Sequence, residues 1–364
     1  MNFEQEGLLE GLEGKERQAR EQLLEQLAGD GFSLEELKAA VKEDRLPLLP
    51  VERVLGARHT AEEIEEQTGV PAKLMLRIRR LLGLPEAGAN DRVFGDDDIE
   101  AAKSAQRFLE AGITEDGLTE ITRVLGESMG RVSGAVGASF ADAFLQAGDT
   151  EAEIARRFAE LAEELAPSLR PVLIAAFSAH LRDMIQRAVI GAADREAGQI
   201  AGAQELTVCF ADLVGFTRLG GEVEVQELGS VAGRLADLAA ETACEPVRLI
   251  KTIGDAALFV SPEPGPLVDV ALSFVEAVEE ADLPSLRAGI ALGPAQARAG
   301  DVYGHSVNLA SRVTGVARPG SVLCTEEVRE AADDDFAWSF AGRHRLKGVD
   351  HRVPLHRARR ARSE

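Results

Sequence analysis

The run ELTVCFADLVGFT, residues 205–217, decides how the second half of this chain folds. Its first seven residues are rich in β-branched and apolar side chains and read as a strand. Asp212 stands where that strand gives way to a turn around Gly215. Working outward, a helix is expected at about 224–243. VRLIKT (247–252) and AALFV (256–260) then read as two strands joined by an Ile-Gly-Asp turn that carries Asp255. Apolar periodicity predicts a helix over 267–281, and LRAGIALG (286–293) reads as a strand. A helix within 302–317 and short strands at 321–324, 336–342 and 353–358 follow.

The order β-α-β-β-α-β predicts a ferredoxin-like split βαβ arrangement, an antiparallel sheet with helices on one face. Upstream, residues 1–190 read as all-α. Leucines at helical spacing predict a first helix from Glu4 to Leu27. Ser33 with Glu36 and Thr60 with Glu63 are capping boxes that open two more. Residues 59–113 resemble the helix-turn-helix and wing of MerR-type regulators. Further helices are expected at about 118–147, 150–166 and 168–192, with Pro167 as the boundary between the last two. That final pair is very apolar and reads as a bundle core, or as a dimer interface or the pocket of an apolar small-molecule effector. The fold class is therefore α+β: a helical unit (1–190), a Gly/Ala-rich connector (191–203) and a ferredoxin-like domain (204–364).

Composition narrows the function classes. The net charge is −22, of which −15 falls in residues 1–203 and −7 in residues 204–364. Such a field repels phosphodiester backbones and anionic lipid, so DNA and membrane surfaces are poor partners. The three arginines Arg77, Arg79 and Arg80 are the sole support for a DNA-reading helix. Cys209, Cys244 and Cys324 are isolated and odd in number, which reads as reduced thiols acting as small apolar groups. The acidic start MNFEQEGLLEGLEGK has no apolar leader pattern, so the expected location is cytoplasmic.

The chemistry-bearing residues cluster in three strings, FADLVGFT (210–217), KTIGDAALF (251–259) and DVYGHSVNLASR (301–312). In a ferredoxin-like sheet the first strand lies beside the third, so Asp212 and Asp255 meet at one sheet end. Two hard carboxylates there suit Mg²⁺ or Mn²⁺ on a triphosphate. The turn through Gly215, Phe216 and Thr217 offers backbone N–H groups to phosphate oxygens. Lys251 and Asp301 could read the edge of adenine, the one donating to a ring nitrogen and the other accepting from the exocyclic amine. Asn308 and Arg312 are four apart and share a helix face; the amide could orient a ribose and the guanidinium could stabilise charge on a phosphorus. Lys347, before a turn glycine, could clamp terminal phosphates.

These strings resemble the signatures of class III nucleotidyl cyclases, over roughly residues 203–358. The resemblance implies that Asp212 and Asp255, with the Leu213 carbonyl, hold two Mg²⁺ or Mn²⁺ ions per active site. It implies that Lys251 and Asp301 specify ATP, that Asn308 and Arg312 serve the transition state, and that Lys347 binds phosphate. It also implies a head-to-tail homodimer in which each chain completes its partner's site. The helical half resembles the regulatory domains of soluble mycobacterial-type cyclases, some of them pH-responsive. His180 and His305 are then the candidate pH sensors, and autoinhibition is the expected mode. The competing reading is a MerR-like DNA-binding regulator with a nucleotide-sensing, non-catalytic cyclase-like domain. A diguanylate-type transferase fits the Lys251/Asp301 and Asn308/Arg312 pairs less well.

Overall fold

The structure, a computed structural model, describes residues 2–51, 56, 58–144, 148–194, 204–216, 225–298, 300–332 and 336–361. The chain divides into two compact units, Met1–Ala197 and Gly198–Glu364.

In the first unit, residues 3–11 form turns and helix α1 spans Gly14–Gly29. The expected start at Glu4 is thus ten residues early. Gly7 and Gly11 adopt φ of +75° and +78°, left-handed values that a right-handed helix does not contain. Leu8 and Leu9 are still buried with Leu23, Leu24 and Leu27. Helices α2 (Leu34–Lys42) and α3 (Ala61–Thr68) begin at the expected capping boxes. The Glu36 N–H donates to Ser33 Oγ at 3.3 Å, and the Glu63 N–H to Thr60 Oγ1 at 3.1 Å. Gly69, at φ +75°, closes α3. Pro71 opens α4 (Ala72–Leu81), and a bridge between His59 and Phe94 precedes α5 (Asp96–Glu110).

The arginines on α4 are engaged within the chain. Arg77 donates to Thr119 Oγ1 at 3.1 Å, Arg79 donates to the carbonyls of Pro85 and Val93 at 3.1 and 3.2 Å, and Arg80 lies 3.9 Å from Glu86.

Helix α6 spans Glu115–Phe144 and α7 spans Glu151–Asp194. The expected break at Pro167 is absent: α7 runs through both Pro167 and Pro171 and continues into the segment read as a connector. The two prolines are one turn apart and exposed, so the carbonyls they leave without an N–H lie on one solvent-facing side, where water satisfies them. The bundle-core reading of this region is overturned as well. Val172, Ile174 and Phe177 are 61%, 66% and 68% exposed, and Leu181, Met184 and Ile185 are also exposed. Residues 195–203 of the expected connector lie outside the described residues.

The second unit begins with β1 (Gln204–Leu213), α8 (Val225–Thr242), β2 (Arg248–Ile253), β3 (Ala256–Ser261), α9 (Pro264–Glu280) and β4 (Leu286–Arg298). After these come β5 (Asp301–Gly304), α10 (His305–Val316), β6 (Ser321–Thr325), α11 (Glu326–Ala331), β7 (Phe336–Arg345) and β8 (Arg352–Arg360). The sheet order is β2-β3-β1-β4-β6-β8-β7, with β5 paired to β4. Its first four members are the ferredoxin-like core. The sheet is mixed rather than antiparallel, because β4 and β6 run parallel. The β4–β5 hairpin was not expected from the sequence.

The helices are not confined to one face. Cys209, Ala211 and Leu213 of β1 pack with Leu235 of α8 and with Leu267, Phe274 and Val278 of α9. The alternate residues Val208 and Phe210 pack on the other face with Val307, Leu309 and Ala310 of α10. Cys209 and Cys324 are buried, and burial pushes the Cys209 thiol up to about 12. Cys244 is exposed instead, against the apolar reading of all three thiols.

Gly126 of α6 meets the end of α4 so closely that a Cβ would lie 2.5 Å from Leu82 Cα, whereas a Cβ at Gly130 meets nothing within 4 Å. Gly126→Ala is therefore expected to destabilise the helical unit by about 1–3 kcal/mol, as backbone overpacking does. Gly130→Ala should stabilise it by about 0.5–1 kcal/mol. Thermal unfolding followed by far-ultraviolet circular dichroism checks the opposite signs.

Candidate active site

Asp212 is held at the end of β1, opposite Ala256 of β3 and Arg287 of β4. The β1–β3 ladder ends with the Leu213 N–H donating to the Asp255 carbonyl at 3.0 Å. Both carboxylates thus sit at one end of the sheet, as the strand order requires. Gly215, at φ +83°, makes the turn that follows Leu213, and Phe216 packs its ring against the main core. Thr217 lies outside the described residues.

Asp212 has a partner that the sequence reading missed. Arg287 donates from Nε to Asp212 Oδ1 at 2.6 Å and from Nη2 to Oδ2 at 3.1 Å. This fork raises the Arg287 pKa, chiefly through the hydrogen bond to Asp212, with the Asp212 and Asp255 charges adding to it. The sequence marks Arg287 only as the single charge in the strand LRAGIALG; its partner is set by the β1–β4 register.

The donor set suits a divalent cation. Two carboxylate-bearing residues lie at one sheet end beside a backbone turn, and the Arg287 guanidinium already shows that the Asp212 oxygens accept positive charge there. No group of three or more His, Cys, Asp and Glu side chains suited to a metal occurs among the described residues. The remaining ligands would therefore be backbone, phosphate or water oxygens.

Lys251 of β2 and Asp301 of β5 are brought together as a hydrogen-bonded ion pair, although fifty residues separate them in sequence. Asp301 also accepts from the Val302 N–H at 2.9 Å. Desolvation pushes the Asp301 carboxyl upward, but the hydrogen bonds from Lys251 and Val302 outweigh it and hold the group below its ordinary range. Asn308 and Arg312 both lie on the exposed side of α10, whose other side buries Ser306, Ala310, Val313 and Thr314. Neither has a hydrogen bond or ion pair among the described residues. Lys347 is exposed in the β7–β8 turn beside Gly348, whose φ is +79°.

Of the two nominated histidines, His180 is exposed on α7 and His305 is exposed as the first residue of α10. Two other histidines have carboxylate partners that local sequence does not reveal. His59 Nε2 lies 2.7 Å from Asp96, and His356 Nε2 lies 2.7 Å from Glu326. Hydrogen bonding to His356 and then to Arg329 holds Glu326 below its ordinary range.

With this geometry in hand, comparison with known proteins is direct. Residues 1–185 match the adenylate cyclase regulatory domain family, and residues 199–356 match the adenylate and guanylate cyclase catalytic domain family. The chain is 42% identical over 365 residues to a pH-sensitive adenylate cyclase of Mycobacterium tuberculosis, covering 97% of this chain and 91% of that protein. It is 32% identical over 289 residues to an adenylate cyclase of Streptomyces coelicolor, covering 77% of this chain and 74% of that protein. Among solved structures, the adenylyl cyclase CyaB of P. aeruginosa aligns over 44% of this chain and 96% of its own, at 19% identity and a TM-score of 0.39. The chain belongs to the adenylate cyclase family, an enzyme family, with a regulatory domain ahead of its catalytic domain. No helix among the described residues is long and apolar enough to cross a membrane.

The Asp301 carboxyl gives a signed pH prediction. Its folded pKa is depressed, so the stability that the Lys251–Asp301 pair contributes is present above the ordinary carboxylate range. That contribution is lost as pH falls through the depressed value. Urea denaturation of wild type and Asp301→Asn from pH 7 to pH 3 should show a stability gap that closes as the pH is lowered. A constant gap would mean that charge is not what the pair contributes.

Proposed function

We propose that this enzyme converts ATP to 3′,5′-cyclic AMP and pyrophosphate at two equivalent sites, each shared by two copies of the chain arranged head to tail. The observation that carries the reading is a division of labour. Asp212 and Asp255 meet at one sheet end, while Asn308 and Arg312 face outward from α10 with no partner in their own chain among the described residues. Each group is half of a site, and a second copy supplies the complement.

In this reading Asp212, Asp255 and the Leu213 carbonyl hold Mg²⁺ or Mn²⁺, two ions per site. Bound there, the ions would lower the pKa of the ribose 3′-hydroxyl and neutralise phosphate charge. Lys251 and Asp301 open from their mutual ion pair onto the adenine edge, Lys251 donating to a ring nitrogen and Asp301 accepting from the exocyclic amine. Asn308 orients the ribose. Arg312 stabilises the charge that grows on the α-phosphoryl oxygens as the 3′-oxygen attacks in line and pyrophosphate leaves. Lys347, Phe216 and Thr217 hold the terminal phosphates.

The helical unit regulates this assembly, and its uncovered apolar residues Val172, Ile174, Phe177 and Met184 support a dimeric, autoinhibitory form. An active site formed only between two chains responds directly to anything that changes their spacing.

Two experiments test this. Asp212→Asn and Arg312→Ala should each abolish activity alone. Mixed and allowed to exchange subunits, they should recover roughly a quarter of wild-type activity, because about half of random dimers then carry one intact site. No recovery on mixing would rule out shared sites. Cyclase rates of the full chain, of residues 201–364 alone, and of His180→Ala and His305→Ala should be compared across pH. Faster turnover by residues 201–364 is expected, and a profile unchanged in both histidine variants would remove those two as sensors.

A further inference from the structure

Among the described residues, a directional contact that none of the roles above uses joins the strand that carries Asp212 to the helix that carries Asn308 and Arg312. Thr314, in the last turn of α10, is 3% exposed. Its hydroxyl lies 2.8 Å from the Ala310 carbonyl and 3.0 Å from the Phe210 carbonyl. The first is the ordinary local bond of a helical threonine. The second reaches across 104 residues of sequence to β1, two residues before Asp212. Ala310 itself lies midway between Asn308 and Arg312.

The contact exists because a side chain is missing from β4. Gly289 stands directly opposite Phe210 in the β1–β4 register. A Cβ there would lie 2.2 Å from the Thr314 nitrogen and 2.7 Å from the Ala310 carbonyl oxygen. Only glycine lets α10 lie low enough for Thr314 to pass over β4 and reach β1. A second strap runs beside it: Arg287, which forks onto Asp212, also points Nη1 at the Gly315 carbonyl at 3.4 Å. The rest of the contact is made by Val307, Leu309 and Ala310, apolar groups whose packing carries no directional preference along the helix axis.

We propose that Thr314 is a positioning residue of the reaction, whose hydroxyl fixes the register of α10 against β1 and so sets where Asn308 and Arg312 stand. This rests on the reading of α10 as the bearer of the transition-state groups. In the head-to-tail arrangement the consequence is wider. Asp212 of a chain serves one site while Arg312 of the same chain serves the other, so the Thr314 bond sets the spacing between the two sites of the dimer. The base-reading pair lies on β2 and β5, outside α10, so loss of the hydroxyl should act on turnover and spare substrate affinity.

The test uses the full-length chain with ATP and Mn²⁺. Thr314→Val keeps the shape and removes the hydroxyl, and Thr314→Ser restores it. Thr314→Val is expected to lower kcat by about 10- to 100-fold, the scale of a displacement of about 1 Å at a reacting centre, with KM changed by less than threefold. Thr314→Ser should recover most of kcat. Mn²⁺ affinity, read by electron paramagnetic resonance, should be unchanged in both variants. A Thr314→Val enzyme within twofold of wild-type kcat overturns the proposal. Equal losses in Val and Ser variants that follow their melting temperatures overturn it too, since they mark a purely structural role. Failure of the underlying reading is separately visible: an Arg312→Ala enzyme that keeps wild-type turnover removes α10 from the chemistry, whatever Thr314 does.

Discussion

Asp212 and Asp255 are brought to one sheet end because β1 is hydrogen-bonded to β3 and not to β2, its neighbour in the β-α-β order. The hairpin turn that carries Asp255 is thereby folded against the end of the first strand. Had β2 taken that place, Asp255 would stand up to one further strand spacing, about 4.8 Å, from Asp212. Everything else in the catalytic unit is arranged around this pairing. α8 and α9 cover one face of the central strands, α10 covers the other, and β4 serves as the common wall.

Much of this was legible in the sequence because strand alternation and turn chemistry are local. The strand run ELTVCFA before Asp212, the Ile-Gly-Asp turn and the four-residue spacing of Asn308 and Arg312 each mark an element and the face it presents. The failures have a common cause, which is that tertiary partners are invisible locally. Arg287 reads as an ordinary strand arginine until β1 is laid beside it. The Thr314–Gly289 contact joins residues that only the sheet register brings together. In the helical unit the leucine spacing of residues 8–27 found the buried residues but not the chain path. Gly7 and Gly11 turn the backbone left-handed without disturbing which side chains face inward. Pro167 misled for the opposite reason: its local rule holds where the freed carbonyl is buried, and here it faces water.

The apolar stretch of α7 marks a boundary between what one chain explains and what it does not. Its composition is that of a core, yet Ile174 and Phe177 are about two-thirds exposed in the single chain. An uncovered stripe of this kind is expensive in water and is found where another surface normally covers it. In the catalytic unit Asn308 and Arg312 likewise face outward, without a hydrogen-bond or ion-pair partner among the described residues.

The aromatic inventory gives the molecule a built-in reporter. Its single tryptophan, Trp338, stands on β7 with its ring edge against Phe336 at 5.9 Å, and its single tyrosine, Tyr303, lies on β5. Both belong to the sheet-containing unit, and the long helices of the other unit have neither. Ultraviolet-excited emission therefore follows the melting of one half alone, while peptide-bond dichroism is dominated by the other. If the two units melt separately, their transitions can be told apart in an unmodified chain without a label.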